Sequence, residues 1–139
     1  MKAPGVIASI IRRYLKGADG FHLAGASDSL PVEIAVRPDE LVVGWYQNPP
    51  PWGDSVLVFT TRAIVSIQAN QKARIELDEI IGYEEPKSKV DVTGVRVLTR
   101  AGFQFVRTAG QGGAQNQHRD AYRLIMIIRA LTSGPPVVS

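Results

Sequence analysis

The feature that most constrains this 139-residue sequence is a series of short apolar segments of period two between Leu41 and Val106, each cut off by turn-forming residues. Side chains of a strand point alternately to opposite faces, so this period fits half-buried strands and not a helix, whose apolar period is 3.6. Leu41, Val43 and Trp45 alternate with Val42, Gly44 and Tyr46, which predicts a strand over 40–46. The stretch Asn48-Pro49-Pro50-Pro51-Trp52-Gly53-Asp54 ends it, because proline cannot donate to a sheet ladder. Val56, Leu57, Val58 and Phe59 form the next strand, and Thr60-Thr61-Arg62 turns it into a hairpin partner from Ala63 to Ile67. Further strands are expected at 74–77, 81–85, 92–98 and 103–106, with Arg100-Ala101-Gly102 as the last turn. Seven short strands joined by brief turns indicate an all-β sandwich or barrel.

Both flanks read differently. From Val6 to Lys16 the period is helical: Ile7, Ile10, Ile11, Tyr14 and Leu15 share one face, and Ser9, Arg12 and Lys16 oppose it. Residues 17–29, rich in Gly, Ser and Asp, read as a connector. Near the other end, 117–131 reads as a helix with Asn116 as N-cap. Its stripe of Ala121, Leu124, Ile125, Ile128 and Leu131 should face the sheet. Tyr122 and Met126 lie on its other side, so the two helices are expected to dock through them. The predicted architecture is mainly β, with some α. It is a seven-stranded antiparallel curved sheet or partly open barrel, capped by a C-terminal helix and carrying an extra N-terminal amphipathic helix. Residues 1–30 are the helix and connector, 31–132 the domain and 133–139 a tail.

Composition narrows the function classes. There is no cysteine, hence no disulfide, thiolate metal site or cysteine nucleophile, which suits a cytoplasmic location. No apolar run reaches the roughly 20 residues of a membrane span, and Arg12 and Arg13 interrupt the first apolar stretch too early for a secretory leader. The net charge of +3 sits wholly in residues 1–20, where Lys2, Arg12, Arg13 and Lys16 face Asp19 alone. The body of the domain is neutral, which does not suit nucleic-acid binding.

The order of elements, seven strands and then one amphipathic helix, resembles the pleckstrin-homology fold in its bacterial and GRAM-type members. The hairpin Leu57-Val58-Phe59-Thr60-Thr61-Arg62-Ala63-Ile64 resembles their second-to-third-strand turn. Ile75-Glu76-Leu77-Asp78-Glu79-Ile80 is similar to their passage between strands four and five. The resemblance covers about 33–131 and implies a platform that binds a partner and does not catalyse. Lipid-binding members carry Lys and Arg between the first two strands. Here that loop, Gln47 to Asp54, has no basic residue and one acid, which argues against phosphoinositide recognition.

The first site expectation is therefore the proline-tryptophan loop. Pro50 and Pro51 hold an extended backbone at low entropy cost and Trp52 is a large anchor, with Trp45 just before it. The plainer alternative is that Trp52 folds back to cap the barrel. The second is the N-terminal helix, where Ile7, Ile11, Tyr14, Arg12 and Arg13 suit a partner helix, a second copy or an anionic membrane surface. The plainer alternative is packing within the chain. Gly110-Gln111-Gly112-Gly113 lacks the Gly-Lys-Ser/Thr ending of a phosphate loop. His22 and His118 have no ligand-spaced companion, and the acid pairs Asp78-Glu79 and Glu84-Glu85 suit water better than a cleft. No catalytic, cofactor, metal or small-molecule site is expected. The expected function is a non-enzymatic binding or assembly module for a protein, a peptide or copies of itself, with a peripheral membrane module as the alternative.

Overall fold

The computed structural model describes residues 3–16, 20–24, 34–48, 55–68, 71–85, 94–108 and 114–132, with backbone alone for 114–118. Helix α1 spans Pro4–Leu15. The strands are β1 Phe21–Leu23, β2 Val42–Gln47, β3 Ser55–Thr60, β4 Ala63–Gln68, β5 Gln71–Glu76, β6 Ile80–Glu84, β7 Gly94–Thr99 and β8 Gly102–Arg107, and helix α2 spans Ala114–Leu131. The strands form two antiparallel sheets. Sheet A has the order β1-β2-β3-β4-β5 and sheet B the order β6-β7-β8.

The seven expected strands are present, but the single curved sheet is not. A 3₁₀ turn over Leu77–Glu79 carries the chain from β5 into β6, which pairs with β7 instead of continuing sheet A. No closed barrel forms among the described residues. The eighth strand, β1, lies inside the expected connector, where three residues are too few to show a period. Tertiary contacts hold it. Phe21 meets Phe59 edge to face with centroids 6.4 Å apart. Its ring also crosses Gly44, where an added Cβ would stand 2.9 Å from Phe21 Cζ.

Strand β3 is buried at every position. A continuous apolar run signals covering on both faces, whereas clean alternation signals one. On the inner face Leu57 and Phe59 join Val43, Tyr46, Ile64 and Ile75, together with Val95, Val97 and Val106 from sheet B. Burying each such side chain contributes about 1.5–3 kcal/mol. The outer face carries a second cluster of Trp45, Val56, Val58, Val65 and Ile67, with Ile34 and Val42 packed against it.

Helix α1 belongs to the main core through Ile7, Ala8, Ile11 and Leu15. It docks on α2 as expected, but not through Tyr122, which is 45% exposed. Arg123 of α2 donates from Nη1 to the carbonyls of Tyr14 (3.0 Å) and Lys16 (3.2 Å). Carbonyls at a helix C-terminus have no partner within the helix, so a guanidinium there satisfies them and complements the helix dipole. Ile127, one turn beyond Arg123, is fully buried. The residues one and two turns before it, Arg123 and Asp120, are charged, so Ile127 stands at the edge of the apolar stripe.

A second tie joins α2 to sheet A: the Tyr46 hydroxyl donates to Asp120 Oδ2 at 2.5 Å, with both residues buried. Tyr46→Phe withdraws a donor from a buried carboxylate, so unfolding free energy falls by about 1–3 kcal/mol. In urea denaturation the exposed control Val36→Ala stays within about 0.5 kcal/mol of the parent. Among the described residues no helix is long and apolar enough to cross a membrane.

Candidate functional site

The largest side chains left open on a strand lie on the outward face of sheet B. The β7–β8 hairpin turns through Arg100 and Ala101 into Gly102, whose φ of +121° suits glycine. The Thr99 hydroxyl donates to Gly102 O at 2.9 Å and accepts from the Ala101 amide at 3.1 Å, which pins the turn. The register then follows without interruption: Leu98 faces Phe103, Arg96 faces Phe105, and Gly94 faces Arg107. The alternate pairs, including Val95 with Val106, turn inward, where Val95, Val97 and Val106 are buried.

Phe103 and Phe105 therefore point out and are 46% and 44% exposed. The Arg96 guanidinium lies 4.4 Å from the centroid of Phe103, and that of Arg107 lies 5.3 Å from Phe105. Arg96 also pairs with Glu84 on β6 at 3.1 Å. Gly94 makes room for this layer, since a Cβ there would come within 2.5 Å of Phe105 Cζ. The result is a patch of two phenyl rings with cations on their faces, an arrangement worth about 0.5–1 kcal/mol per contact at an exposed site.

The sequence-predicted residues fare differently. Pro50, Pro51 and Trp52 lie outside the described residues, as do Gly110 to Gly113. Trp45 is only 4% exposed. It is turned into the outer cluster of sheet A with His22 stacked on it at 5.2 Å, so it does not present an anchor at the surface. Ile7 and Ile11 are buried in the core and Tyr14 packs against it, while Arg12 and Arg13 are exposed. Arg12 and Arg13 occupy the last turn of α1, where cations complement the helix dipole. Ala3, Gly5, Val6, Ser9, Ile10 and Arg13 line an open depression on the far side of this helix.

Several acids are engaged structurally. Glu84 holds Arg96, and Glu85 Oε1 accepts from the Tyr83 hydroxyl at 3.2 Å. Glu40 is buried at one end of the outer cluster of sheet A. Its Oε1 accepts from the Arg37 amide at 3.0 Å, and its Oε2 accepts from Arg74 Nη2 at 2.9 Å and from the Thr60 hydroxyl. Burial by itself would push the Glu40 carboxyl up, but these three donors outweigh it and hold the group below the usual carboxylate range. Glu76 extends the network, accepting from Arg74 Nε and pairing with Arg37, each at 2.6 Å. The network ties residues 37–40 to β3 and β5. Among the described residues no group of His, Cys, Asp and Glu is placed to hold a metal ion.

In the sequence Phe103 and Phe105 read only as strand residues. The available signal was their spacing with Arg96 and Arg107, which register alone converts into stacked pairs. No protein-family model, curated protein or solved structure matches the chain.

Proposed function

We propose that this chain is a non-enzymatic binding or assembly module on a pleckstrin-homology-like scaffold, working in the cytoplasm, and that the outward face of sheet B is its contact surface. The observation that carries the reading is the exposed pair Phe103 and Phe105 under Arg96 and Arg107. Aromatic and arginine side chains dominate interface energetics because each buries a large area, and an aromatic ring does so at small entropy cost. The scaffold is supported by the order of elements, in which β2 to β5 and β6 to β8 supply four strands and three before α2. The partner class is a protein or peptide, further copies of the chain included. A membrane role for α1 has less support, because Ile7 and Ile11, which would have to insert, are already buried against the rest of the chain.

A photoreactive phenylalanine analogue at Phe103, irradiated in cells, tests the reading. A protein adduct is expected from that position and not from Leu41, which is 67% exposed but lies off this face. Absence of any adduct at position 103 would sink the proposal.

A further inference from the structure

The occupant of this face follows from the edges of the two sheets. An open strand edge invites another strand, and proteins blunt such edges with short length, charge, proline or bulges. Three of the four edges here are blunted. β1 has three residues, β5 carries Lys72 and Arg74, and β6 has a register shift between Ile80 and Gly82. The fourth, β8, reads Gly-Phe-Gln-Phe-Val-Arg and pairs with β7 through six uninterrupted positions. It has no proline, lysine or bulge, and its one charge is at its last residue. That last residue is where the edge closes: β8 approaches β3, and Asn48 Nδ2 donates to Arg107 O at 3.2 Å. Among the described residues no strand pairs with the outer edge of β8 from Gly102 to Phe105.

We infer that a second copy of this chain adds to β8, edge to edge and antiparallel, so that two three-stranded sheets become one six-stranded sheet. The inference deepens the proposed function and rests on the same face. A two-fold axis at Gln104 keeps the pairing within the open segment and sets Phe103 opposite the partner's Phe105, and Phe105 opposite the partner's Phe103. Two cross-strand aromatic pairs then cover one another on the outward face and add to the backbone pairing. The strand is self-complementary in this arrangement, as a two-fold contact requires. Charge favours a second copy over a polyanion: Arg96 is held by Glu84, and among the described residues this face carries no larger cluster of cations of the kind that nucleic acid or an anionic membrane requires.

Sedimentation of the full chain over a concentration series reads the result. Dimer is expected to grow with concentration, and Phe103→Lys and Phe105→Lys are each expected to weaken it at least about tenfold, which is about 1.4 kcal/mol. Both substitutions replace exposed side chains, and thermal melts check that the variants fold. A measurement free of variants is the concentration dependence of amide exchange at Phe103 and Phe105, which should slow as dimer forms. A monomer at every concentration, unchanged exchange, or a dimer indifferent to both lysines overturns the inference. The photoadduct at position 103 separates the two levels. An adduct of twice the chain mass supports both. An adduct with a different protein, from a monomeric chain, overturns self-pairing and leaves the contact face standing. No adduct overturns both.

Discussion

Ile11→Ala lowers the free energy of unfolding by about 2–5 kcal/mol, the range for removing a large aliphatic side chain from a packed site. Ile11 has no exposed surface and sits in the core cluster that joins α1 to α2 and both sheets. The lost methyl groups leave a cavity that two docked helices cannot easily close, so the transfer and cavity costs add. Val6→Ala on the opposite face of α1, where Val6 is 49% exposed, changes stability by no more than about 0.5 kcal/mol. Urea denaturation of both variants checks the contrast. If Ile11→Ala were as silent as Val6→Ala, α1 would not be part of the folded core and its apolar face would again be open to a membrane or partner.

Glu40→Ala lowers the free energy of unfolding by about 1–3 kcal/mol, because it strands buried hydrogen-bond donors while the partly exposed Arg74 keeps Glu76 as a partner. The Glu40 side chain is fully buried and Arg74 is 28% exposed. The Thr60 hydroxyl, the Arg37 amide and the Arg74 guanidinium all lose their acceptor on Glu40. The same arrangement sets a pH dependence. The folded carboxyl titrates below its ordinary value of 4.5, so it binds a proton less readily in the folded chain than in the unfolded one. Its contribution is therefore complete above the unfolded value and is lost as pH falls through the lower folded value. Glu40→Gln removes this titration. In denaturation series below pH 4.5 the stability gap between parent and variant should narrow as the parent's carboxylate is protonated. A gap that stays constant through the acid range would show that Glu40 is not the charged acceptor described above.

The positions of the strands were legible because alternation and turn chemistry act over a few residues. The run Val56 to Phe59 was legible as a strand, and its burial on both faces, which fits its uninterrupted apolar residues, emerged in the structure. Strand β1 escaped notice because Phe21-His22-Leu23 has no pattern of its own. It exists because Phe21 finds Phe59 and the space over Gly44. The docking of the helices was anticipated from two apolar faces. The side used was not, because an arginine at 123 reads as solvent-facing until the end of another helix meets it.

The candidate surface shows the same division. In Gly102-Phe103-Gln104-Phe105-Val106 the alternation Phe-Gln-Phe suggests that the phenyl rings face inward, while Val106 belongs to the opposite phase. A period of two states that side chains alternate and does not state which set is buried. Pairing decided it: Val95 and Val97 occupy the core, so their partners Val106 and Gln104 share the inner face and the two phenylalanines go out. Trp45 met the reverse outcome, since the outer face of sheet A is covered and takes the indole in.

Apart from β1, the amino-acid order alone determined where this chain extends, where it turns and which ends are helical, because those depend on interactions between near neighbours. Only the tertiary structure decided how the strands divide between two sheets, which aromatic rings reach the surface and which edge stays open. Those outcomes depend on pairings between residues far apart in the chain, whose free energies no local pattern encodes.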